Sequence, residues 1–188
     1  MGFNLNWAPV ADVDSNPDNP VIGDRAFSRD PAVVSRHVTA FLDGLHHAGM
    51  MGSVKHFPGH GDTNLDSHLD LPVVDKDVGD LDHLEMAPFK AAVAHGVELV
   101  MSAHVMFPAL DEAVPATMSS PILRDWLRAK LGFRGVLVSD DMEMGAVRGR
   151  YPLEQQLDMA TRASMDLFLM CKSLDLQVEA WGTLIRLA

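Results

Sequence analysis

The sequence predicts an α/β fold built on a parallel sheet. Three observations carry this. Five short apolar runs recur along the 188 residues: Phe3–Val10, Ser53–Phe57, Leu99–Ala103, Gly135–Ser139 and Asp166–Met170. Each is rich in β-branched, aromatic or aliphatic side chains and has the length of a buried strand. Helical patterns separate them, and strands alternating with helices imply parallel pairing with right-handed crossovers. Finally, ionisable residues gather just beyond the runs, at the strand ends where α/β sheets and barrels build their sites.

The elements follow in order. After the first run, Asp30 is a helix N-cap and Pro31 takes the first helical position. Val34, Val38, Phe41, Leu42 and Leu45 then form one apolar face, and Gly49 ends the helix. A second helix is expected over Leu81 to His95, stopped at Gly96; Pro88 inside it predicts a kink or a late start. Ser119-Ser120-Pro121 opens a third helix and Gly132 closes it. A fourth is expected near Pro152–Ala163. A last one, Leu174–Leu187, places Val178, Trp181 and Ile185 on one face. Two long irregular stretches remain, Asp12–Arg29 and Pro58–Asp80. Loops of that length in a compact domain are often functional. No internal repeat or domain boundary is visible, so residues 1–188 read as a single domain.

Composition narrows the function. Lys and Arg number 15 against 26 Asp and Glu, a formal net charge of −11. That balance opposes nucleic acid, whose phosphates need basic partners, and a polybasic membrane patch. No apolar run has the length of a membrane span. A lone cysteine, Cys171, excludes an intrachain disulfide and reads as a small buried hydrophobe. The twelve Met read as core filler. The opening MGFNLNWAPV lacks a basic stretch followed by an apolar one, so no signal peptide is expected there.

The strand ends deliver Ala11-Asp12, then Lys55-His56 with Pro58-Gly59-His60-Gly61-Asp62, then His104, Asp140-Asp141 and Cys171-Lys172. Asp140 is the first polar side chain beyond a buried run and suits a nucleophile, a general base or a metal ligand. Asp141 would point elsewhere, and could cap loop amides; spacing alone does not choose between the two.

The segment His56–His68 is dense in titratable groups: His56, His60, Asp62, Asp66 and His68. Zinc fits poorly, because Pro58-Gly59 forbids a helix between His56 and His60. Calcium fits poorly too. Asp62-x-Asn64-x-Asp66 imitates an EF-hand start, but Ser67 replaces the required Gly and Val73 the bidentate Glu. No metal or other cofactor is therefore expected. Proton transfer fits better. Asp66 and His68 share one face of an extended loop, so a carboxylate can orient an imidazole suited to acid–base work. The alternative is a plain Asp-Ser-His turn with Asp66 accepting backbone bonds. His37, His46, His47, His83 and His95 fall on helices and read as surface or packing residues.

These residues also resemble a known family. K-H-F-P-G-H-G-D-T-N-L-D-S-H (Lys55–His68) looks like the signature of the NagZ-like β-N-acetylglucosaminidases of glycoside hydrolase family 3. N-W-A-P-V-A-D-V (Asn6–Val13), the segment Asn16–Phe27, M-S-A-H-V (Met101–Val105) and L-G-F-R-G-V-L-V-S-D-D-M-E-M (Leu131–Met144) occur in the family's order, over nearly the whole chain. The resemblance implies a (β/α)8 TIM-type barrel and a retaining mechanism. It matches Asp140 to the nucleophile, His68 to the general acid/base and Asp66 to its carboxylate partner. Arg25, Lys55 and His56 match residues that bind the sugar.

The implied substrate is a terminal β-linked N-acetylglucosamine on a saccharide or muropeptide; cytoplasmic peptidoglycan recycling is the expected setting, with an exported enzyme as the alternative. Family members carry further strands before N-W-A-P-V, including a D-Q-E-G-G segment. The barrel is therefore expected to be incomplete, with about five βα units and the N-terminal strands missing. Its exposed edge predicts self-association. A family phosphorylase and a catalytically incompetent barrel fragment are the alternatives.

Overall fold

The computed structural model describes residues 2–67 and 69–187. Five strands, β1 (Leu5–Asn6), β2 (Met51–Phe57), β3 (Leu99–Ser102), β4 (Val136–Asp141) and β5 (Leu167–Leu169), form one sheet in the order β1-β2-β3-β4-β5. Every neighbouring pair is parallel. Sequential order with parallel pairing is the arrangement of a barrel wall, here a curled half-barrel. All five strands fall on the five apolar runs.

The helices are α1 (Pro31–His47), the short α2 (Val78–Asp80) with a wide π-type turn (Leu81–Glu85) after it, α3 (Ala87–Ala94), the π-type α4 (Pro121–Lys130), α5 (Leu153–Arg162) and α6 (Leu174–Leu187). Asp30 caps α1 as expected, accepting from the Ala32 amide at 2.8 Å. Gly49, Gly96 and Gly132, the expected stops, sit at φ of 70°, 87° and 76°, the left-handed geometry that glycine adopts freely. The helix expected over Leu81 to His95 is broken at Met86, and Pro88 lies in the first turn of α3, where its missing N–H costs nothing.

The core lies between the sheet and these helices. Val34, Val38 and Leu42 of α1 and Phe89 of α3 are fully buried beside Val54 and Phe57 of β2. Phe57 and Phe89 meet edge-on, with ring centroids 5.4 Å apart. One sequence reading needs correction. Cys171 is exposed, because it lies past the end of β5 rather than in it. The α6 face with Val178, Trp181 and Ile185 is also exposed, while Ala180 and Thr183 are the residues α6 buries.

Two register shifts position the site. One lies between Val54 and Phe57 in the β2–β3 pairing, the other between Val138 and Asp141 in β4–β5. Such irregularities re-aim side chains. They fall where Lys55, His56 and Asp140 leave their strands.

Candidate active site

Asp12, beyond β1, is fully buried and organises the end of β2. Its Oδ1 accepts from the His56 and His60 amides at 3.1 and 2.7 Å. Its Oδ2 lies 2.8 Å from His56 Nδ1. A carboxylate only accepts, so Nδ1 of His56 carries a proton. Burial pushes the Asp12 carboxyl up, but the imidazole of His56, its hydrogen bonds and His60 outweigh burial and hold it below the ordinary value.

The other edge of His56 faces Asp140, with Nε2 and Oδ2 3.9 Å apart. Asp140 Oδ1 accepts from the Asp141 amide at 2.8 Å. Burial raises the Asp140 carboxyl, and His56, His104, the Asp141 amide and Lys55 together bring it below the ordinary value. Lys55 is shifted down, by burial first and then by Arg25, against the pull of Asp140 and Asp12. Asp141 turns away: its Oδ1 accepts from the amides of Glu143 and Cys171. The two adjacent carboxylates, left undivided by spacing, thus have different surroundings.

Val21, Arg25, Lys55, His56, His60, Ser67 and Asp140 line a cleft of about 220 Å³. Drug-sized pockets run ~300–1,000 Å³, so this cleft suits one small polar unit. Larger hollows of about 470 and 400 Å³, beside Arg128 and beside Trp181, contain no such paired acid and imidazole. Of the residues expected from the sequence, Arg25, Lys55, His56 and Asp140 meet in the cleft. Arg25 reaches it from the loop after β1, where its guanidinium donates to the Val21 carbonyl at 3.2 Å. Asp66 is half-buried in the loop after β2, and its carbonyl accepts from the amides of Leu69 and Asp70. His68 lies outside the described residues.

Asp12, His60 and His104 were visible at strand ends but had no assigned part. His104 is buried, with Nδ1 2.9 Å from Thr117 Oγ1 and Nε2 3.1 Å from the Asp141 carbonyl. Their shared position at one sheet edge was the available signal. Among the described residues, no three His, Cys, Asp or Glu side chains are grouped as a metal ion would need.

A half-barrel with a carboxylate, an imidazole pair and two cations at its strand ends has the layout of a barrel enzyme's site. The comparisons narrow it. Residues 1–185 match the glycosyl hydrolase family 3 N-terminal domain, and the chain belongs to that family. It is 38% identical to beta-hexosaminidase A of Pseudoalteromonas piscicida over 183 residues, covering 90% of this chain and 30% of that protein. It is 42% identical to a beta-hexosaminidase of Xylella fastidiosa over 170 residues, covering 90% of this chain and 50% of that protein. Among solved structures, it resembles a family 3 β-N-acetylglucosaminidase from Paenibacillus sp. FPU-7 at 42% identity and a TM-score of 0.96, over 98% of this chain and 35% of that one. The chain thus spans half or less of the length of these relatives.

Proposed function

We propose that this chain carries the core of a retaining β-N-acetylhexosaminidase active site. The observation that supports it most is Asp140: a carboxyl kept ionised at the mouth of β4, facing a cleft whose other walls carry His56, Lys55 and Arg25. A nucleophilic carboxylate must be ionised, and one sugar ring must be held against it.

In the first step a carboxylate oxygen of Asp140 bonds to the anomeric carbon. The glycosidic bond breaks, and the leaving oxygen takes a proton from His68, oriented by Asp66. In the second step His68 takes a proton from water, whose oxygen attacks the anomeric carbon and frees Asp140. Arg25, Lys55 and His56 hold the sugar. A terminal β-linked N-acetylglucosamine on a peptidoglycan fragment, processed in the cytoplasm, is the substrate this reading favours. It draws on the Lys55–His68 signature and on the beta-hexosaminidase relatives.

The test is hydrolysis of an aryl β-N-acetylglucosaminide by the chain and by Asp140→Ala and His68→Ala. Loss of turnover on the order of 10³-fold or more in Asp140→Ala is expected. Turnover that survives Asp140→Ala overturns the nucleophile assignment. Formation of a sugar 1-phosphate on adding phosphate would move the reading to a phosphorylase.

A further inference from the structure

One side chain in the cleft wall has no part in that scheme. His60 is only 2% exposed, and both its ring nitrogens are partnered. Nδ1 lies 2.8 Å from Thr63 Oγ1, and Nε2 lies 2.9 Å from Ser67 Oγ. The direction of each bond follows from counting protons. Thr63 Oγ1 donates to the His60 carbonyl at 3.1 Å and accepts from Asn19 Nδ2 at 3.2 Å. Its single proton is committed, so His60 Nδ1 donates to it. In a neutral ring Nε2 then accepts, and the Ser67 hydroxyl is its donor. Burial first and His56 second push His60 down to about 4 against the pull of Asp12, so the ring is neutral at neutral pH.

Ser67 is held from a second side. Its carbonyl accepts from the Ala146 amide at 3.1 Å, and Ala146 follows β4 and Asp140 in the chain. Its own exposure is 2%. Ser67 therefore links the loop after β2 to the segment after β4, and it stands between Asp66 and His68 in the sequence.

We infer that His60 is a positioning residue: through the hydroxyl of Ser67 it fixes the loop at Asp66 and Ser67 relative to the carboxylate of Asp140. The inference rests on the glycosidase reading, which gives that loop the proton donor. A misplacement of about 1 Å in such a group lowers a rate by ~10²-fold.

The test uses the full chain with His60→Gln, His60→Asn, Ser67→Ala and the double variant His60→Asn/Ser67→Ala. Gln places its amide oxygen near the position of Nε2 and still accepts from Ser67. Asn reaches only the position of Nδ1. On alkyl or disaccharide β-N-acetylglucosaminides, His60→Asn and Ser67→Ala are each expected to lower kcat by ~10–100-fold. On a dinitrophenyl glycoside, whose leaving group departs without a proton, the loss is smaller. His60→Gln restores most of the rate, and the double variant is no worse than either single one. Equal losses on all leaving groups, or additive losses in the double variant, overturn the inference.

A second arm needs no turnover. Amide hydrogen exchange across residues 62–70 is expected to quicken in His60→Asn and Ser67→Ala and to stay at the parent rate in His60→Gln. Parent-like exchange in all the variants overturns the inference. Absence of hydrolysis by the parent chain counts against the glycosidase reading alone, because the exchange arm still decides this one.

Discussion

Gly61→Ala is the substitution with the most calculable consequence. At this residue the loop after β2 crosses the segment after β1. A Cβ built on Gly61 would lie 1.6 Å from the Val13 carbonyl oxygen, 2.7 Å from its carbon and 3.3 Å from its nitrogen. Ordinary contact begins at 3.4 Å, so the two backbones must part by about 1.8 Å. Neither backbone can yield by a side-chain rotation, since all three contacts are main-chain atoms.

Val13 follows Asp12, whose carboxylate holds the His60 amide at 2.7 Å and the His56 amide at 3.1 Å. Overpacking costs about 1–3 kcal/mol. Loss of one hydrogen bond to a buried carboxylate costs about 1.5–3 kcal/mol more. A destabilisation of about 2.5–6 kcal/mol is therefore expected, a large part of the ~5–15 kcal/mol of a typical domain. Gly44→Ala is the control. It lies in α1 with nothing within 4 Å of its added Cβ, and it should stabilise by about 0.5–1 kcal/mol. Urea unfolding followed by tryptophan fluorescence measures both. If Gly61→Ala lies within about 1 kcal/mol of the parent while Gly44→Ala behaves as expected, the close crossing at Val13 is refuted.

Two further substitutions test the frame of the site. Asp12→Asn keeps an oxygen for the two amides but loses the charged partner of His56, and should destabilise by about 2–3 kcal/mol at pH 7. The folded Asp12 carboxyl is held below its ordinary value, so its stabilisation is complete above the unfolded value of ~3.9 and is lost as pH falls through the folded value. Urea midpoints of parent and variant should therefore converge below about pH 4, and a gap that stays constant would show that the Asp12 charge is not the source. Asp30→Ala removes the bond to the Ala32 amide and should cost about 1 kcal/mol, read as a Tm lower by ~2–4 °C, with no change confined to the cleft.

The sequence by itself determined the course of the chain. Apolar runs, the cap at Asp30 and the stops at Gly49 and Gly132 are local signals, and local signals fix local backbone. It also placed Lys55, His56 and Asp140 at one edge, because residues following successive parallel strands must emerge on the same side of the sheet. The fold decided the rest, since partners across strands depend on register and burial rather than on spacing. Asp12 and His56 are 44 positions apart and meet because β1 and β2 are neighbours. Asp140 and Asp141 are adjacent, yet one faces the cleft and the other binds loop amides. Cys171 reads as interior in the sequence and lies exposed; the apolar face of α6 was legible as a face, but its exposure was not, because hydrophobic periodicity tells which residues share a face and not what that face meets. His60 shows the same division: its type and place were legible, but its bond to Ser67 exists only once the loop after β2 has folded back on itself.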